Sequence, residues 1–274
     1  GSEMCIRDRY IQTENSLQVS AEANVQKLTY EEQPVGDVGL GVTWLPGEGN
    51  THYLSSYFLY NNQDVLSADG TLVQQGEKNV MDISANITRL PLAIANAFVP
   101  DQMATLQGRA DGELLIGGSM DQPTVDGSLS LDSANVYVKM LGSRYWMDNR
   151  PIRLENNRLV FDKFAIYTTS DNPFAINGYV DFRNMERPTA DLTLRANNYT
   201  LLNAKRTRES MVYGKVLVDM LATVKGPLDA LKMRGNMNLL GTTDVTYVLT
   251  DSPLTVEDRL DLSLIHISEP TRPY

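Results

Sequence analysis

Apolar and polar residues alternate along most of this chain. Leu17, Val19, Ala21, Ala23 and Val25 alternate with Gln18, Ser20, Glu22, Asn24 and Gln26. Period two marks a strand with one dry face and one wet face. Met81, Ile83, Ala85 and Ile87 stand against Asp82, Ser84, Asn86 and Thr88 in the same way. Phe174, Ile176, Gly178, Val180 and Phe182 share one face, and so do Leu192, Leu194 and Ala196. Turn residues punctuate these runs: Pro34 and Gly36, the loop from Pro46 to Asn50, and the hairpin dipeptide Asn156-Asn157. Strands recur about every ten to twelve residues, which predicts roughly twenty in an all-β chain.

Residues 112–138 set the unit. Leu114 to Ile116 form a strand that ends at Gly117 and Gly118, and a turn holds Asp121 and Pro123. Gly127 opens Ser128-Leu129-Ser130-Leu131, Asp132 and Ser133 turn the chain, and Val136 and Val138 begin the next strand. The same order of turn chemistry recurs over residues 216–248, through Gly226-Pro227 and Gly235, so a structural repeat is expected. One short helix is expected over residues 90–98, with Pro91 near its first turn and Pro100 beyond its end. Two turns cannot stand alone, so this helix should cap the sheet. Another short turn is expected over residues 102–106.

Many one-sided strands with almost no helix to cover them pose a packing problem. A sandwich or barrel would fold the sheet onto itself. A long sheet curled along its length would instead leave an apolar trough; twenty strands would extend about 95 Å. Periodicity leaves both solutions open.

The termini read differently. Residues 262–272 resemble the translation of a transposon mosaic-end sequencing adapter, and residues 1–8 resemble the same adapter family on the opposite strand. Residues 1–9 and 262–274 are therefore set aside as adapter-like, and residues 10–261 are taken as a β-groove fragment of a longer chain. Between the tails there is no cysteine and one histidine, His52, read as a surface residue beside a Gly-rich loop. Thiol catalysis and Cys/His zinc sites drop out. The net charge of −10 without basic clusters argues against nucleic acid as a partner. No run reaches the length of a membrane-spanning helix, and an inner-membrane anchor is expected outside the fragment. Asp121, Asp126 and Asp132 lack a calcium loop's ligand series and read as turn formers. With no phosphate loop, nucleophile elbow or metal cluster, neither a cofactor nor an enzymatic activity is expected.

The ordered series of Gly, Pro and apolar positions carries a resemblance. It runs from Leu90-Pro91-Leu92 to Phe98-Val99-Pro100, through Leu106-Gln107-Gly108 and Gly112-Glu113-Leu114. Gly117, Pro123, Gly127 and Leu129-Ser130-Leu131 follow, then Asn156-Asn157-Arg158-Leu159, Gly178 and Gly226-Pro227. Over most of residues 80–250 this order resembles the C-terminal region of the TamB family of AsmA-like envelope proteins. The resemblance implies an elongated, curled, mostly antiparallel sheet, an open groove or β-taco. It also implies a periplasmic location and a part in outer-membrane biogenesis. That part is phospholipid passage between the inner and outer membranes, or, alternatively, scaffolding of outer-membrane protein insertion with a barrel partner of the TamA type. The groove lining it implies is Leu129, Leu131, Val136, Val138, Ile166, Phe174, Ile176, Val180, Phe182, Leu192, Leu194, Met237, Leu239 and Val245, facing phospholipid acyl chains.

Overall fold

The computed structural model describes residues 3–13, 16–76, 78–99, 103–169, 172–206, 212–248 and 264–267. It is one curled antiparallel sheet, not a closed barrel. The strands are β1 (Glu3–Thr13), β2 (Ser16–Tyr30), β3 (Gln33–Pro46), β4 (Thr51–Tyr60), β5 (Gln63–Gln75), β6 (Lys78–Pro91), β7 (Ala104–Ser119) and β8 (Gln122–Val138). After them come β9 (Ser143–Met147), β10 (Ile152–Glu155), β11 (Arg158–Tyr167), β12 (Phe174–Asp181), β13 (Thr189–Ala204), β14 (Val212–Pro227), β15 (Lys232–Leu239), β16 (Asp244–Val248) and β17 (Leu264–Ile267). From β1 to β8 each strand pairs with the next. β9 and β10 then share one rung: both lie between β8 and β11, β9 at one end and β10 at the other. β15 and β16 divide the far side of β14 in the same way. The seventeen strands therefore occupy fifteen rungs, a ladder of about 70 Å. β17 and the first part of β1 fall in the terminal stretches, residues 262–274 and 1–9, that the sequence sets aside as adapter-like.

Several expected turns are not turns. Asp132 and Ser133 lie inside a continuous β8, where Ser133 takes a left-handed φ of 53°. Pro34 and Gly36 lie inside β3; the reversal is made at Glu31-Glu32, with φ of 46° and 66°. Asn61-Asn62 and Asn156-Asn157 adopt the same pair of left-handed conformations, the geometry a tight hairpin needs to follow the twist of its strands. Ala104 to Leu106 begin β7 rather than forming a turn. In the second copy of the repeat, the strand corresponding to β8 breaks after Leu239 into β15 and β16.

The expected short helix forms over Leu92–Phe98, as a 3₁₀ helix that starts once Pro91 has made its last ladder pairing with Arg109. It contacts β2, β3 and β7. The Phe98 ring reaches Tyr30 at 4.9 Å. Asn96 binds both main-chain groups of Leu106, accepting from its N–H at 2.7 Å and donating to its carbonyl at 3.0 Å. One side chain thus stands in for the strand that β6 no longer supplies.

A bulge recurs along the sheet. β2, β6, β11 and β13 each shift register by one residue, between Val25 and Leu28, Ile87 and Leu90, Phe161 and Phe164, and Ala196 and Tyr199. Within each bulge a non-glycine residue is left-handed: Lys27, Arg89, Lys163 and Asn198. The next strand supplies an acceptor for its N–H each time, from Asp37, Asp111, Asn177 and Asp219, at 2.7 to 2.9 Å. An extra residue bends its strand and sharpens the local twist. A line of such bulges therefore curls the whole sheet along one seam. Gly127 and Gly178 serve the same bend: φ is +147° and +121°, and a Cβ would stand 2.1 Å from the facing carbonyls of Glu113 and Asp191.

Since Asn177 performs natively what Asp111 performs, the acceptor oxygen matters and the charge does not. Asp111→Asn is expected to leave stability within about 0.5 kcal/mol, whereas Asp111→Ala costs about 1–2 kcal/mol by stranding the Arg89 N–H. Urea unfolding of the two variants side by side checks this; equal losses would refute the capping role.

Candidate functional site

Residues directly opposite in an antiparallel pair project to the same face, so the register shows which side chains share a surface. One row runs Ala21, Val42, Ser56, Ala68, Ala85, Leu114, Gly127, Leu154, Leu159, Val180, Ala190, Gly226. Only Ser56 interrupts its apolar character. The adjacent row, on the opposite face, runs Glu22, Gly41, Tyr57, Ser67, Asn86, Glu113, Ser128, Arg153, Val160, Tyr179, Asp191, Lys225. One face is apolar from β2 to β14 and the other is polar.

The apolar face is largely uncovered. On this face Ala85, Ala110, Ala190 and Ala222 are buried, while Leu40, Met233, Met237 and Leu239 are about half exposed or more. A sealed sandwich would bury its large side chains first.

The exception is one corner. β12 stops at Phe174, opposite Ala196, so the far part of β13 has no β12 partner. β9 and the end of β11 approach it instead. Tyr145 Oη donates to the Leu201 carbonyl at 2.9 Å, Thr168 Oγ1 donates to the Thr200 carbonyl, and Ser143 Oγ accepts from Asn203 N–H at 3.4 Å. Under this closure Tyr199, Leu202, Ala204, Val216 and Val218 form the best-buried cluster, with Phe174 and Val245 packed against it. Burial pushes the Tyr145 hydroxyl up to about 12, with Tyr199 nearby adding to the effect.

Comparison with known proteins fits this architecture. Residues 162–271 match the TamB C-terminal domain family. That match spans less than half of the chain, which there resembles the C-terminal region of the TamB family. The "Translocation and assembly module subunit TamB" of Haemophilus influenzae is similar to it, 23% identical over 155 residues, which cover 52% of this chain and 12% of that protein. No solved structure matches the chain. The family match takes in most of the C-terminal stretch that reads as adapter-like.

The register puts the paired residues of the expected lining on one face, spread unevenly. Leu129 and Leu131 lie opposite Gly112 and Ala110; Val136 and Val138, beyond the bulge, lie opposite Leu106 and Ala104. Ile166 pairs with Phe174, Ile176 with Leu194, and Leu192 with Gly178. Leu194 is buried with Ala222 and Val224, and Phe174, Ile176 and Leu192 pack on them. Val180 lies in the row described above. Phe182 lies just past β12, where with Val125, Leu154 and Met185 it lines a 600 Å³ cavity at the hairpin end. Met237 and Leu239 pair with Met220 and Val218 but stay exposed, because β15 lies at the margin of the curl.

The sequence missed the first half of the same face. Val19, Trp44, Leu54, Gly70, Ile83, Ile116 and Val125 form a further row on it. The alternation that would have found them is plain in β2 and β6. His52 is also on this face and not on the surface. It pairs with Leu72, its ring lies 5.1 Å from Trp44, and its Nδ1 is buried with no hydrogen-bond partner among the described residues. Among the described residues no group of three His, Cys, Asp or Glu side chains could hold a metal ion, and no helix is long and apolar enough to cross a membrane.

The strongest charge cluster sits on the polar face. Asp181, nearly buried, accepts from Arg183 and Arg158 at 2.6 to 3.0 Å. The Arg183 hydrogen bonds hold its carboxyl well below the usual carboxylate range. A lowered folded-state value stabilises the fold above the unfolded value, and the gain is lost as pH falls through the folded one. Asp181→Asn is therefore expected to cost about 1–2 kcal/mol at neutral pH. The gap to wild type should narrow below pH about 4, where the unfolded carboxyl begins to protonate. Unfolding titrations at pH 7 and pH 3 check it; a gap independent of pH would refute the assignment.

Proposed function

We propose that the apolar face is a lipid groove, its lining the residues from Leu129 to Val245 named above together with the first-half rows, and that it holds phospholipid acyl chains on their way between the inner and outer membranes. The observation that supports this is the row from β2 to β14, apolar but for Ser56, without a layer facing it. Water does not favour a large contiguous apolar surface, and such surfaces mark ligand or partner sites. The match to the TamB C-terminal domain and the similarity to a translocation and assembly module subunit support a role in envelope biogenesis. On this reading the region works in the periplasm as a non-enzymatic element, anchored to the inner membrane through other parts of a longer chain. A barrel protein of the TamA type would receive it at the outer membrane. A second reading, assistance to outer-membrane protein insertion by strand pairing, draws on the ladder's unclosed ends.

The test uses exposed positions, where a charge does not threaten the fold. Met237 and Leu239 lie on the groove face, and Leu115 and Leu221 on the opposite face, all four more than half exposed. Met237→Asp with Leu239→Asp is expected to lower the phospholipid carried through purification about tenfold, since a charge beside an acyl chain costs more than about 1.4 kcal/mol. Leu115→Asp with Leu221→Asp should leave it unchanged. Equal lipid content in both double variants, measured by mass spectrometry per mole of protein, would overturn the groove reading.

A further inference from the structure

The bulge seam opens a second site, on the face away from the groove. Where β6 leaves the ladder and the 3₁₀ helix begins, an open cleft of about 890 Å³ crosses from β5 to β9, within the size range of small-ligand sites. Arg89, Gln107, Arg109, Asn135 and Trp146 line it.

These residues form a coherent chemical set. Arg89 and Arg109 belong to no ion pair or side-chain hydrogen bond among the described residues, although the chain carries a net charge of −10. Arg109 lies directly opposite Asp132 in the ladder, yet Asp132 takes its hydrogen bond from the Ser133 hydroxyl at 2.9 Å. Gln107 and Asn135 are held by a third guanidinium: Arg144 donates to Gln107 Oε1 at 2.7 Å and to Asn135 Oδ1. With its oxygen engaged, the Gln107 amide keeps its N–H groups for a ligand. Asn135 is 3% exposed and its amide also donates to the Ser133 carbonyl at 3.1 Å, so it serves to hold Arg144 in place. Trp146 stands at the other wall, 44% exposed, with the Arg144 guanidinium 5.9 Å from its ring centre.

Each part selects a feature. Fork-shaped guanidinium groups without a partner favour a carboxylate or phosphate. The Gln107 amide, held through its oxygen, offers N–H groups that a sugar hydroxyl can accept from. An exposed indole offers a flat apolar surface for the C–H face of a ring. A ligand that combines a planar or tetrahedral acid, many hydroxyls and a stackable ring is an acidic sugar. We infer that this outer-face cleft binds an acidic saccharide. The site shares no residue with the groove lining, so it stands or falls apart from the lipid reading.

The test titrates the purified chain with a tetragalacturonate, a neutral maltotetraose and inorganic phosphate, following indole ¹H–¹⁵N signals. The chain has two tryptophans, and the signal missing from Trp146→Leu identifies Trp146. The acidic tetrasaccharide is expected to shift the Trp146 signal and not that of Trp44. Binding should weaken at least about tenfold in Arg89→Gln with Arg109→Gln, and in Trp146→Leu, a loss of about 1.4 kcal/mol. All three positions are on the surface, so unchanged melting temperatures distinguish lost binding from lost fold. No shift with the acidic sugar at millimolar concentration overturns the inference. So does equal binding of the neutral sugar, or full competition by phosphate alone, which would reduce the cleft to a simple anion site.

Discussion

The structure depends on register. In an antiparallel ladder a slip of one residue moves every side chain of a strand to the other face. Here a single slip would place Glu22, Asn86, Glu113 and Asp191 among the apolar rows and expel Ala21, Ala85, Leu114 and Ala190. With no facing layer to correct an error, each rung's register must be fixed by its neighbours. The left-handed two-residue turns at Glu31-Glu32, Asn61-Asn62 and Asn156-Asn157 do this at one end of their strands.

Curvature works against register, because bending a ladder requires an extra residue on one strand. The bulges at Lys27, Arg89, Lys163 and Asn198 resolve the conflict. In each, the residues on either side of the bulge keep the same face, so three positions replace two and the apolar row continues unbroken: Val25 to Leu28, Ile87 to Leu90, Phe161 to Phe164, Ala196 to Tyr199. The carboxylate or amide from the following strand satisfies the N–H that the bulge would leave unpaired. The sheet thus curls without exchanging its faces, and the same bend opens the cleft on its outer side.

Much of this was legible in the residues. Strict alternation in β2, β6, β12 and β13 marks strands with one dry face, and the ordered Gly and Pro positions carry a resemblance to the TamB family, whose C-terminal domain matches residues 162–271. The bulges were less visible because the left-handed positions are Lys, Arg and Asn where glycine would be expected. Their trace is the change of apolar spacing from two to three, easily taken for a turn, as at Asp132 and Ser133. The shared rungs of β9 with β10 and β15 with β16 leave no trace in periodicity, since a short strand reads the same whether it fills a rung or half of one. The closed corner at Tyr199 depends on β12 being shorter than β13, a relation between strands that neither run displays alone.

Side-chain size along the apolar face has its own order. In the first half of the sheet the central row is small: Ala21, Ser56, Ala68, Ala85 and Gly127, with Val42 and Leu114 between. Bulkier rows flank it, with Trp44, Leu54, Ile83 and Ile116 on one side and Leu40, Phe58, Leu66 and Ile87 on the other. A protein that needed only a core would place its largest residues at the centre, where burial removes most apolar surface from water. Small residues along the middle and large ones on either side are the distribution a lengthwise groove requires. Small floor residues gain little from the fold itself, so this distribution suits a surface shaped to hold something other than its own side chains.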